Sequence, residues 1–200
     1  MRELIHGLGA VAAGATLLAA AAKVGQPAPD FTARSIEGKV YRLSDLKGKI
    51  VVLEAFNLDC PFCRNHYATG AMQELQKRFA AKGVVWLLIN SVHKAHPSYR
   101  APEEAKAEMK KFKIAHAAWI DDSDGKIGKA FGMRTTPHVF VIDKKGALVY
   151  AGAVDDRPAP SGDPRTARNY LKEALEALLS GKAVPVSKTR PYGCSVKYAR

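Results

Sequence analysis

Ile50-Val51-Val52-Leu53-Glu54-Ala55-Phe56, followed by Asn57-Leu58-Asp59 and then Cys60-Pro61-Phe62-Cys63, is the stretch that decides the fold. Apolar residues on both alternating faces of a short run mark a strand buried on each side, which requires helices above and below the sheet. Glu54 interrupts the pattern on the face it shares with Val52 and Phe56. Burial would push its carboxyl toward the neutral, proton-accepting form. The plain alternative is a strand-end carboxylate paired with a lysine or reaching solvent.

The two cysteines stand three positions apart across the start of a helix. That spacing can close a small disulfide, and unpaired amides at a helix N-terminus favour a thiolate at the first position. Cys60 is therefore the expected attacking thiol and Cys63, one turn inside, the resolving one. Glu54 could accept the Cys63 proton. Arg64 and His66 offer positive charge and Asp59 opposes it. A Cys-x-x-Cys string alone also fits half a zinc site or two unrelated buried thiols, but a second half-site is missing from the chain.

Outward from this centre, strands and helices alternate. Phe31–Ala33 and Val40–Leu43 read as a hairpin, and 44–48 as a turn. Pro61 to Lys82 reads as one helix, with Met72, Leu75 and Phe79 at helical spacing and Gly83 as its stop. Strands are expected at Val84–Asn90, Ala117–Ile120, His138–Ile142 and Ala147–Ala151. Helices are expected at Pro102–Phe112, Lys126–Phe131 and Arg165–Ser180. Pro137 opens the strand from His138, where it cannot donate a ladder hydrogen bond and invites a tight X-Pro junction.

The 200 residues favour one domain with short appendages, and 47% apolar with 25% charged residues disfavours disordered, fibrous or polytopic membrane classes. The formal net charge of +12 suggests acidic partners. No recognition-helix motif, RNP-like aromatic pair or Arg-rich block accompanies it, so nucleic acid is not the expected partner. Arg2 precedes an uncharged run of 15 residues, Leu8 to Ala22, whose last residues before Lys23 are Ala20-Ala21-Ala22. This is the pattern of a signal peptide removed after Ala22, and the run falls short of the roughly 20 residues of a membrane-spanning helix. The destination would be an oxidising compartment, a bacterial periplasm or the exterior, with no stable membrane insertion afterwards. Retention as an uncleaved anchor is the alternative.

Three cysteines are too few for a disulfide scaffold or a four-thiolate zinc site. The third, Cys194, sits in a tail from Lys182 to Arg200 that has five positive and no acidic residues. It fits a free thiol, a second resolving cysteine folding back onto Cys60, or the partner in an intermolecular disulfide. His93, His96 and His138 are ordinary surface or capping histidines, or contribute with Cys60 and Cys63 to a copper site.

Taken together, Cys60 to Cys63 after an apolar strand, Glu54 upstream, Thr136-Pro137 before a strand and the hairpin beginning at Asp30-Phe31 resemble the thioredoxin superfamily, in its exported redoxin branch grouped with AhpC/TSA and TlpA-like proteins. The resemblance spans about residues 25 to 180. It implies an α/β thioredoxin-like fold, a central mixed sheet flanked by helices, with a leader at 1–22, the redoxin domain at 23–181 and a basic tail at 182–200. It also implies a nucleophilic Cys60, a resolving Cys63, a buried acid at Glu54, a cis Pro137 beside the disulfide, and a Thr136 backbone that pairs to substrate. The implied activity is thiol-disulfide exchange with protein thiols or disulfides and an upstream redox partner, with no bound cofactor. The alternatives are a thiol-dependent, antioxidant peroxidase and a copper chaperone. Two departures matter. Asp59 stands where thioredoxins usually carry Trp. Leu53 and Asn57 stand where peroxiredoxins place Pro and Thr, so the hydroxyl that orients a peroxide is missing.

Overall fold

Strand β3 (Val51–Ala55) is the middle of the molecule, and every one of its residues is buried. In the computed structural model, which describes residues 21–199, it stands in a five-stranded sheet with β4 (Val85–Asn90), β5 (Ala118–Asp121), β7 (His138–Ile142) and β8 (Leu148–Gly152), in the order β5-β4-β3-β7-β8. β3, β4 and β5 run parallel, whereas β7 and β8 are antiparallel to their neighbours. The sheet is therefore mixed. Alternation along β3 feeds two cores: Val52 and Phe56 pack with Tyr67, Trp86 and Trp119, while Val51, Leu53 and Ala55 pack with Phe131 and Phe140.

The single helix expected from Pro61 to Lys82 is two, α1 (Pro61–Ala68) and α2 (Ala71–Ala80). Gly70 between them adopts a left-handed φ of 80°, which a right-handed helix cannot pass through. α3 (Pro102–Lys111) and α4 (Lys126–Phe131) fall within a residue of expectation. The last helix starts later than its periodicity suggests: Pro164–Thr166 forms a 3-10 turn, Ala167 is extended, and α5 (Tyr170–Leu179) begins at Asn169, whose side chain accepts the Lys172 amide at 2.8 Å. Ala167, inside the expected helix, thus lies before the observed one.

Both margins of the sheet are covered. The hairpin of β1 (Thr32–Arg34) and β2 (Val40–Arg42) leads the chain onto β5, where Ser35 bridges Ile120 and the Ile36 amide donates to the Trp119 carbonyl. At the other margin, Gly25 and Gln26 bond to Leu148, and Ser187 and Thr189 bond to Ala151. The C-terminal tail then continues across the domain as β9 (Cys194–Ser195), antiparallel to the two-residue strand β6 (Thr135–Thr136). The signal-peptide reading of 1–22 falls mostly outside the described residues; Ala22 donates its amide to the Ala130 carbonyl at 2.9 Å. No helix among the described residues is long and apolar enough to cross a membrane.

Candidate active site

The β3–α1 junction places the two thiols unequally. Cys60 is the N-cap of α1 with extended backbone, Pro61 takes the first helical position, and Cys63 lies one turn in. Both sulfurs are shielded, Cys60 with 1% of its surface exposed and Cys63 with none. Cys60 is therefore less accessible than a helix-cap thiol would be, and the reason is the tail lying over it. As a thiol, Cys60 donates to the Thr136 carbonyl at 2.8 Å, and the Cys194 amide approaches its sulfur at 3.4 Å. Burial raises the Cys60 pKa, but hydrogen bonding by the Cys194 and Thr136 side chains and by the Cys63 and Cys194 amides outweighs it, and the net shift is downward. Burial and the neighbouring Glu54 carboxylate push Cys63 well above the ordinary thiol range.

The Cys60 shift comes from hydrogen bonds opposing burial, whereas the sequence pointed to charged neighbours. Arg64 Nε donates to the Leu58 carbonyl while its Nη2 stays 3.4 Å from Asp59, and Arg100 Nη2 donates to both Asp59 oxygens, at 2.8 and 2.9 Å. Burial lowers the His66 pKa, partly opposed by Asp155, so His66 supplies no steady positive charge near neutrality.

Glu54 is fully buried, and its partners are neither lysine nor solvent. Trp86 Nε1 donates to it at 2.8 Å, and the Tyr67 hydroxyl lies 3.0 and 2.9 Å from its two oxygens. Gln76 in turn donates to the Tyr67 hydroxyl at 3.0 Å. Desolvation dominates these two hydrogen bonds and raises the Glu54 pKa to about 7. Tyr67 and Trp86 went unnoticed in the sequence, because their roles arise from α1 and β4 packing over β3. The one available signal was that a buried acid needs donors.

Thr136-Pro137 is a cis peptide, and its carbonyl side faces Cys60. The structure also brings Cys194 here, with Thr136 opposite Cys194 and Thr135 opposite Ser195 in the β6–β9 ladder. Burial, followed by donation to Cys60, raises the Cys194 pKa to about 11. Gly193 precedes it with a φ of 117°, and a Cβ built there would lie 2.1 Å from the Thr136 oxygen, so only glycine fits. Tyr192 anchors the same strand: its hydroxyl donates to Asp155 Oδ1 at 2.5 Å and meets His66 Nε2 at 3.0 Å.

The other histidines have local partners. His93 and His96 accept the amides of Ala95 and Ser98 through Nδ1, as capping side chains do. His138 accepts the Arg134 amide at 3.4 Å and rests on Phe140 with 4.3 Å between ring centroids. Among the described residues no three His, Cys, Asp or Glu side chains gather as a metal-ion site.

A five-stranded mixed sheet carrying a Cys-x-x-Cys helix cap against a cis proline defines a thioredoxin-fold protein with a dithiol centre. The Redoxin family profile matches residues 23–171, and the chain belongs to that family. It is 31% identical over 128 residues to the thiol-disulfide oxidoreductase ResA of Geobacillus thermodenitrificans, covering 64% of this chain and 68% of that one. It is also 31% identical over 143 residues to the thiol:disulfide interchange protein DsbE of Pseudomonas aeruginosa, covering 68% and 71%. A solved hypothetical protein from Sinorhizobium meliloti superposes with a TM-score of 0.78 at 25% identity, covering 90% of this chain and 97% of its own. The chain is a thiol-disulfide oxidoreductase.

Proposed function

We propose that this chain is an exported enzyme that exchanges disulfides with protein partners through Cys60 and Cys63. The observation that carries the reading is the opposed tuning of the two thiols, Cys60 lowered by hydrogen bonds and Cys63 raised by burial beside Glu54. Reducing a partner begins when the Cys60 thiolate attacks one partner sulfur, forming a mixed disulfide and releasing the other sulfur as a thiolate. Cys63 then passes its proton to the Glu54 carboxylate, directly or through water, and attacks Cys60. The Cys60–Cys63 bond forms, the mixed disulfide breaks, and the partner leaves as a dithiol. Running the same steps backwards oxidises a partner. Thr136 and Pro137 wall the sulfur on the side where a substrate chain would lie.

The leader-like stretch up to Ala22 supports export to a periplasm or the exterior, where the substrates are protein disulfides. N-terminal sequencing of the secreted or periplasmic protein should begin at Lys23.

Turnover of a disulfide-bonded peptide by the reduced full-length protein tests the assignment. Cys60→Ser should abolish it, and Cys63→Ser combined with Cys194→Ser should accumulate a peptide adduct on Cys60. Ordinary turnover by the Cys60→Ser variant would refute the reading. Consumption of peroxide at the expense of a dithiol would favour the peroxidase instead.

A further inference from the structure

The segment Tyr192–Tyr198 is built to lie where it lies. Besides the two ladder pairs, the Val196 amide donates to the Arg134 carbonyl at 3.0 Å and the His93 amide donates to the Lys197 carbonyl at 2.8 Å. The Tyr198 hydroxyl donates to the Met133 carbonyl at 2.9 Å, and the Tyr192 ring sits 5.9 Å from that of Phe62, between the two active cysteines in sequence. Gly193 supplies the close approach that any side chain would forbid. The strand therefore uses the whole exposed edge of β6, and that edge is the one beside the Cys60 sulfur.

This placement also puts a cysteine opposite a cysteine. The Cys194 amide is 3.4 Å from Cys60 Sγ, and the Cys194 sulfur is only three bonds from that nitrogen, within one side-chain rotation of the Cys60 sulfur. We propose that β9 is an internal substrate: Cys194 exchanges with Cys60 to form a Cys60–Cys194 disulfide that seals the β6 edge, and external disulfides reach Cys60 when the strand lifts. The inference rests on Cys60 being the exchanging thiol and names how access to it is regulated.

The chemistry balances within the chain. In the oxidised protein, Cys194 gives its proton to solvent and attacks Cys60; the Cys60–Cys194 bond forms, the Cys60–Cys63 bond breaks, and Cys63 leaves as a thiolate that takes up a proton. Electrons are only redistributed, so no outside oxidant is needed. The order of events follows from the hydrogen bonding. While Cys60 is a thiolate it accepts from Cys194 and holds the Cys194 proton in place. Once Cys60 is in a disulfide that acceptor is gone, and Cys194 becomes easier to ionise.

The test uses full-length reduced protein and oxidised glutathione, with disulfides mapped by peptide mass spectrometry. In Cys63→Ala, the Cys60 thiolate displaces one glutathione and Cys194 displaces the second, so the Cys60–Cys194 bond should dominate. In Cys63→Ala with Cys194→Ser, the Cys60–glutathione adduct should persist. A persistent adduct in the first variant with Cys194 still free overturns the inference. Gly193→Ala, which drives a methyl into the Thr136 carbonyl, should raise the rate of Cys60 reaction with a disulfide-bonded peptide by about tenfold or more. Val196→Pro, which deletes the amide bonded to Arg134, should act in the same direction. Unchanged rates in both variants also overturn it. Failure of the underlying reading looks different: wild-type protein would then form no Cys60–Cys63 disulfide with oxidised glutathione, and the internal exchange would fall with it.

Discussion

Glu54 meets two hydrogen-bond donors and no cation, so its charge is tolerated rather than welcomed. Its pKa rises from 4.5 to about 7, a shift that follows from burial. A carboxyl that binds its proton more tightly when folded confers stability that is complete below the unfolded pKa and is lost as pH climbs through the folded one. From about pH 5 to about pH 8 the wild type should therefore lose on the order of 3 kcal/mol relative to Glu54→Gln, read from denaturant midpoints at the two pH values. Under the proposed role of Glu54 as the base for Cys63, the same variant should slow peptide-disulfide turnover by about a hundredfold and erase the rise in rate through about pH 7. At this scale the sequence was informative where chemistry is local. Cys60, Cys63 and Glu54 announce themselves by type and spacing, whereas Tyr67, Trp86 and Gln76 look like ordinary core residues until three elements converge on one carboxyl.

Among the elements, the divided helix α1–α2 shows what periodicity hides. Met72 and Phe79 are core residues as their spacing indicates, yet the axis turns at Gly70. A Cβ at Gly70 would meet nothing within 4 Å, so Gly70→Ala should lose only the left-handed backbone preference, about 1 kcal/mol in thermal or denaturant unfolding. β9 is the opposite case, an element whose existence no pattern could reveal. Two residues carry no hydrophobic period, and their pairing partner lies far back in the chain at Thr135–Thr136. Tyr192→Phe removes the hydroxyl shared by Asp155 and His66 and should loosen this strand. Hydrogen exchange at the Val196 amide should accelerate by about tenfold, with the amides of β3 unaffected.

Over the whole molecule, the alternation of strands and helices was enough to indicate the α/β class and the central position of β3, because a strand apolar on both faces has few other homes. The tail was harder to read. Its five positive charges and lack of acidic residues suggest a solvated appendage, while its actual path is held by scattered tyrosine, threonine and backbone bonds. The net charge of +12 has a kinetic consequence. Oxidation of the reduced protein by anionic oxidised glutathione should slow as salt is added, while oxidation by neutral hydroxyethyl disulfide should not, as stopped-flow measurements in the two reagents would reveal. Finally, the outer side of β8 is clothed by Gly25–Gln26 and Ser187–Thr189, segments from opposite ends of the chain. An uncovered sheet margin is a template on which a neighbouring molecule can lay its own strand. Peeling the tail back beyond Thr189 would thus bare that margin to strand pairing, so the strap that lies over the sulfur also closes a sheet edge.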